Sequence, residues 1–150
     1  VAARDYPPPL AALAQQANRL LDGGKATMER QLQALRGHPV VVNKWASWCS
    51  PCRSEFSLFQ RQAAAAGSRV AFIGLDSLDS RQDAMAFIHQ FPVGYPHIFD
   101  PDGQAATSLS GGAVFPTTIF FDSHGQVSYI KQGTYPDEQS LARDINRYAR

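Results

Sequence analysis

Cysteine is scarce in this chain of 150 residues: there are only two. A single pair cannot staple a small disulfide-built fold. It also falls short of a closed zinc site, which needs about four ligands. His38, His89, His97 and His124 are scattered without metal-type spacing. They read as surface or loop histidines, and neither a metal nor another cofactor is expected. Charge of one sign is lacking too. Lys and Arg number 14 against 13 Asp and Glu, for a net charge of +1, with no basic block. Nucleic-acid binding therefore has no electrostatic footprint here. No apolar run approaches the length of about 20 residues needed to span a bilayer. No signal-peptide pattern is visible, which does not place the protein in the cytosol, since a mature form carries no leader. Internal repeats and low-complexity segments are absent as well. The length suits one domain with a real core.

What is present is concentrated in Trp45-Ala46-Ser47-Trp48-Cys49-Ser50-Pro51-Cys52-Arg53-Ser54-Glu55. The apolar run Val40-Val41-Val42 precedes it and a helical pattern follows. A Cys-x-x-Cys at a strand-to-helix junction reads as a thiol–disulfide redox centre. The thiolate is the reactive form, and a helix start supplies unpaired N–H donors and positive dipole, so the Cys49 pKa should fall. Pro51 suits a first helical turn. Cys52 lies one turn in and can close a disulfide with Cys49. Cys49 is thus the attacking, more exposed thiol, and Cys52 the resolving one.

This stretch resembles the thioredoxin superfamily, and the longer run from Asn43 to Glu55 is similar to its extracytoplasmic TlpA/ResA-like branch. The resemblance covers residues 38–150. It implies an α/β, thioredoxin-like fold: a central mixed sheet flanked by helices, with a helix-strand insertion. Residues 1–37 are expected to be an N-terminal helical extension on the thioredoxin-like domain 38–150, all in one compact unit.

In chain order, residues 1–9 read as a loose lead-in ending in Pro7-Pro8-Pro9. Leu10, Leu13, Ala14, Ala17, Leu20 and Leu21 recur at helical spacing and predict one helix, stopped by Asp22-Gly23-Gly24. Met28, Leu32 and Leu35 predict a second, packing helix that ends at Gly37. This departs from the resembled family, which usually has a short strand or hairpin here. Strands are expected at 40–45, 70–75 and 96–99, with a hairpin of 117–122 and 126–131. Helices are expected after the cysteines to Ala66, from Asp79 or Ser80 to Pro92, from Gln104 to Leu109, and after Pro136-Asp137. That order gives a mixed sheet with helices on both faces.

Several further residues carry site expectations. Val114-Phe115-Pro116-Thr117-Thr118 resembles the family's cis-proline motif, whose proline lies against the redox cysteines. A cis bond would leave the Phe115 backbone able to pair with an extended substrate, as in β-augmentation. Glu55 shares a helix face with Cys52. Burial beside Phe56 and Phe59 would raise its pKa, and the resembled pattern has a Glu here as the proton carrier of the second cysteine. The family often has Pro where this chain has Ser57. Asn43 stands where cytosolic thioredoxins carry a buried Asp, and reads as a core amide or a tuning residue beside Ser50 and Pro51. Lys44, in mid-strand, reads as half of a structural ion pair. Trp45 reads as core, Trp48 as an exposed rim for a protein substrate, and Arg53 as solvated.

The leading functional expectation is a monomeric thiol–disulfide oxidoreductase that reduces extracytoplasmic protein disulfides, with apocytochrome c among the candidates. A membrane-side thiol donor or acceptor would serve as its redox partner, and the precursor would be exported or membrane-anchored. Three alternatives stay open: an oxidase that introduces disulfides, a peroxidase, and a binding module with a structural disulfide. The peroxidase is disfavoured because Trp45-Ala46-Ser47-Trp48 replaces the Pro-x-x-x-Thr run that should precede its cysteine. The Ser50-Pro51 dipeptide leaves the direction of electron flow undetermined.

Overall fold

The protein is seen here as a computed structural model, which describes residues 2–110 and 112–150. Val1, the first residue of the expected lead-in, lies outside that range. The rest of the lead-in is ordered into a 3-10 turn, Ala3–Asp5, followed by helix α1, Pro8–Ala14. Pro8 and Pro9 fit a first helical turn, where no N–H partner is needed.

Helix α1 is shorter than the periodicity of the leucines predicts. It stops at Ala14, and Leu20–Leu21 form strand β1. Tertiary contacts override the helical pattern here. The Asn18 N–H donates to Tyr95 O, its side chain accepts from Val93 N–H, and its φ is 67°. His97 N–H then donates to Arg19 O. An open sheet edge offers backbone partners that a surface helix does not need. Leucine suits both periods, so the edge decides.

Helix α2 spans Gly24–Ala34, and strand β2 spans Val40–Trp45, buried along its whole length. Helix α3, Ser50–Ala66, runs unbroken through Ser57. Then come β3, Ala71–Ser77, and α4, Arg81–Gln90, capped by Ser80. Strand β4, His97–Asp100, and helix α5, Gln104–Ser108, complete the insertion. The hairpin is β5, Thr117–Phe121, with β6, Val127–Gln132. Helix α6, Glu138–Tyr148, is capped by Asp137.

The strands form one mixed sheet in the order β1-β4-β3-β2-β5-β6. The first four run parallel, and β5 and β6 pair antiparallel. Paired residues share a sheet face, so Leu20, His97, Gly74, Asn43, Thr118 and Lys131 form one row across it. Apolar residues of α3, α4 and α6 (Phe56, Phe59, Phe87, Leu141 and Ile145) cover that face. Leu10, Met28, Leu35 and Ala105 cover the other with Val40, Val42, Ile73 and Ile119. Fully burying such a side chain contributes about 1.5–3 kcal/mol each. Both cysteines lie in the first cluster.

Candidate active site

Strand β2 delivers the chain to a tight turn at residues 46–48, and Cys49 is the N-cap of α3. Its sulfur accepts from the Cys52 N–H at 3.3 Å, one of the helix-start donors that have no partner within the helix. Cys49 and Cys52 are joined as a disulfide. Cys49 retains 4% exposure and Cys52 none, the order expected of an attacking and a resolving sulfur. Ser50 and Pro51 are exposed between them. Arg53 is exposed, with its guanidinium over the Phe87 and Phe91 rings at 5.8 and 5.5 Å.

The turn is pinned by a loop that the sequence did not single out for the site. Both the N–H and the hydroxyl of Ser47 donate to the Asp79 carboxylate, each at 2.7 Å. The Trp48 indole donates to Leu78 O at 2.8 Å. Leu78 has a left-handed φ of 55°, unusual for a branched residue. Trp48 is 58% exposed and Leu78 52%, and the Trp48 ring lies 4.8 Å from Phe115 between centroids. With Val114 these side chains make an apolar rim beside the disulfide. The Phe115–Pro116 bond is cis. Pro116 is buried and Phe115 half-buried against the cluster that holds both cysteines.

Beneath the pair, Glu55 is fully buried. Asn43 Nδ2 donates to its Oε1 at 3.4 Å, and Tyr135 N–H donates to its Oε2 at 2.6 Å. Burial pushes the carboxyl up to about 7, although the Tyr135 and Asn43 hydrogen bonds and the Lys131 charge all favour its ionised form. Desolvation thus wins over three stabilising contacts and leaves an acid poised near neutrality. The structure brings Asn43 and Glu55 together with the disulfide helix. Tyr135 and Lys131 join them from the hairpin and the segment after it, through contacts no local motif could signal.

Two expectations need correction. His97 is a fully buried core residue, not a surface or loop histidine. Its Nδ1 accepts from Trp45 Nε1 at 3.0 Å, and burial lowers its pKa to about 3. Lys44 was expected to be half of an ion pair. Among the described residues it forms no salt bridge; its Nζ donates to Gly112 O at 2.7 Å and sits 4.2 Å over the Phe115 ring. Desolvation lowers its pKa, opposed by the Asp100 charge. Trp45 is core as expected, stacked on Phe87 and edge-on to Phe56. Among the described residues no cluster of three or more His, Cys, Asp or Glu could hold a metal ion.

A family model described as Redoxin matches residues 14–145. The chain is 35% identical over 101 residues to the thiol:disulfide interchange protein DsbE of Escherichia coli, which is 65% of this chain and 51% of that protein. It is 31% identical over 106 residues to the thiol-disulfide oxidoreductase ResA of Oceanobacillus iheyensis, 69% of this chain and 54% of that one. The chain spans about half the length of these curated relatives. A crystal structure of a putative thiol:disulfide interchange protein DsbE from Chlorobium tepidum superposes with a TM-score of 0.71 at 30% identity, covering 77% of this chain and 83% of that one.

Proposed function

The chain belongs to the Redoxin family, and from that premise we propose that it is a thiol–disulfide oxidoreductase that reduces protein disulfides outside the cytoplasm. The observation that carries this reading is the Cys49–Cys52 pair at the start of α3 with buried Glu55 one turn behind it. A structural disulfide needs no acid at its back.

In the forward direction the dithiol form acts. The Cys49 thiolate attacks one sulfur of the substrate disulfide, the substrate S–S bond breaks, and its other sulfur leaves and takes a proton from water. Cys49 is then in a mixed disulfide. The Glu55 carboxylate takes the Cys52 proton, and the Cys52 sulfur attacks Cys49 Sγ. The second substrate thiolate leaves, and the Cys49–Cys52 disulfide forms. Two electrons pass from the protein to the substrate, and a dithiol donor on the membrane side reverses the change. The sulfurs carry the electrons, so the cycle as written involves no other redox group. Asn43 orients Glu55. Ser50 and Pro51, exposed in the ring, tune the couple.

The substrate lies in extended form along Phe115 and Pro116, with Trp48 as an apolar wall. Among the described residues no backbone hydrogen bond engages the Phe115 N–H or C=O, so both can serve a substrate strand. Disulfide-bonded substrates belong to oxidising compartments, and apocytochrome c with a cysteine pair is one such substrate. Residues 1–37 serve as an accessory to the redox unit at 38–150.

The deciding experiment is the reduction potential of the Cys49–Cys52 couple against glutathione. A value near about −270 mV supports the reductase, whereas roughly −180 to −120 mV would turn it into an oxidase. A couple that resists reduction below about −300 mV would sink both. Cys49→Ser should abolish turnover, and Cys52→Ser should trap mixed disulfides with substrate.

A further inference from the structure

We propose that Lys44 is a positioning residue that fixes the Phe115–Pro116 edge at its working distance from Cys49. Lys44 is 1% exposed and among the largest fully buried side chains of the protein. It directly precedes Trp45 in β2, on the opposite face from Asn43 and Glu55. Burying an ammonium is unfavourable unless polar partners meet it, so a lysine here calls for a reason that an aliphatic residue would not satisfy.

Its contacts supply that reason. Nζ donates to Gly112 O at 2.7 Å, across 68 residues of sequence, and lies 4.2 Å over the Phe115 ring. A charge-assisted hydrogen bond and a cation–π contact are among the stronger polar contacts a single side chain can make. The Asp100 charge favours the ammonium. The Asp100 oxygens are themselves held by Ser77 Oγ and by the Ala105 and Ala106 N–H groups, so that charge is fixed in place. Gly112, Ala113 and Val114 are exposed. The loop that carries Phe115 therefore has little packing of its own, and Lys44 anchors it from below.

The Phe115 ring also meets Trp48, next to Cys49. Lys44, Phe115 and Trp48 thus tie the loop to β2 and to the active-site turn. A cavity of about 270 Å³ opens beside them, lined by Lys44, Leu78, Gly103, Ala106, Gly112 and Phe115. It has room for one substrate side chain flanking the disulfide. β2 consequently serves the site from both faces: Asn43 holds the proton carrier and Lys44 holds the substrate edge.

This inference rests on the proposal that substrate lies along Phe115 and Pro116, and the test separates the two. The reduced protein and its Lys44→Met variant are assayed with a synthetic disulfide-bonded peptide, and the oxidised forms with dithiothreitol, which needs no docking edge. In Lys44→Met the KM for peptide should rise about tenfold, the size of effect expected from losing a partly desolvated charged contact. The kcat, the dithiothreitol rate and the reduction potential should hold within about twofold on that same footing, since no contact to the sulfurs changes. Acrylamide quenching, which reports exposed Trp48 and not buried Trp45, should change as well. Lys44→Gln keeps a donor for Gly112 O at lower volume cost. It should show an intermediate KM, and it serves as the test if Lys44→Met does not fold. An unchanged peptide KM, or an equal loss with dithiothreitol, overturns the positioning role. Phe115→Ala provides the discriminating arm. If it raises the peptide KM while Lys44→Met does not, only this inference fails. If neither moves the KM, the substrate edge fails and takes this inference with it.

Discussion

The Trp45 indole N–H donates to His97 Nδ1 at 3.0 Å, joining the last residue of β2 to the first of β4 across the intervening strand. Because Nδ1 accepts, the ring is neutral and carries its proton on Nε2. Gly74 lies between the two strands, and a Cβ there would come within 1.9 Å of His97 Nδ1. The glycine leaves the space in which the imidazole reaches Trp45. Trp45 is the residue from which the active-site turn departs, so this buried bond sets the floor of the site.

The first prediction concerns acid stability. The folded His97 pKa is depressed to about 3, so its neutral form contributes stability above the unfolded pKa of about 6.5 that is lost as pH falls towards the folded value. Between pH 7.5 and 5 this amounts to about 2 kcal/mol. His97→Leu should remove that part of the acid dependence in urea melts at the two pH values. Gly74→Ala should cost about 1–3 kcal/mol by overpacking the ring. An acid dependence unaltered in His97→Leu would show that the ring is not held neutral.

Asp76 has the opposite sign. It is fully buried at the end of β3, with neither carboxyl oxygen hydrogen-bonded among the described residues. Burial first, then Asp79 and Asp100, raise its pKa to about 10. The native state keeps it protonated while the unfolded chain ionises above about pH 4. Stability from this group is therefore intact at low pH and lost as pH rises, by about 4 kcal/mol at pH 7. Asp76→Asn should flatten the rise in stability on acidification from pH 7 to 4. Equal pH slopes in the variant and the parent would refute a protonated Asp76.

Glu55 should appear in the kinetics. With a pKa of about 7 in the disulfide state, its base form gains above neutrality, so resolution of the mixed disulfide should accelerate through that range. Glu55→Gln should lose the inflection and slow this step at pH 7 by about 100-fold, the usual scale of a general base. Stopped-flow resolution of a preformed Cys49 mixed disulfide measures it. A retained inflection in the variant would assign the proton transfer elsewhere.

Asp79 grips the turn before the cysteines through Ser47. Asp79→Ala removes three hydrogen bonds to a carboxylate, two from Ser47 and one from the Ser80 N–H, and should cost about 2–3 kcal/mol. Asp79→Asn, which keeps one acceptor oxygen, should cost less. Denaturant midpoints for the two variants give the comparison, and equal losses would mean that the grip is not by hydrogen bonding.

Much of the architecture could be read along the chain because its signals are local. The Val40-Val41-Val42 run, the Phe56–Phe59 stripe and the Ser80 and Asp137 caps each depend on residues a few positions apart. The leucines at 20 and 21 could not be read this way, since their spacing fits a helix and only the open edge of β4 favours a strand. His97 was hidden for a similar reason. A single histidine shows nothing of its surroundings until Gly74 and Trp45 are brought beside it.

The sequence by itself determined the chemistry: two cysteines at helix-start spacing, a carboxyl one turn behind them, and the strand that delivers them. Those relations follow from helix geometry over a handful of residues. Only the tertiary structure decided the tuning. Glu55 owes its near-neutral acidity to burial, which outweighs the opposing hydrogen bond from the Tyr135 N–H, 80 residues away. Lys44 meets a carbonyl and a ring 68 and 71 positions on. Desolvation and long-range contact depend on what the completed fold packs around a group, and that information does not reside near the group in the chain.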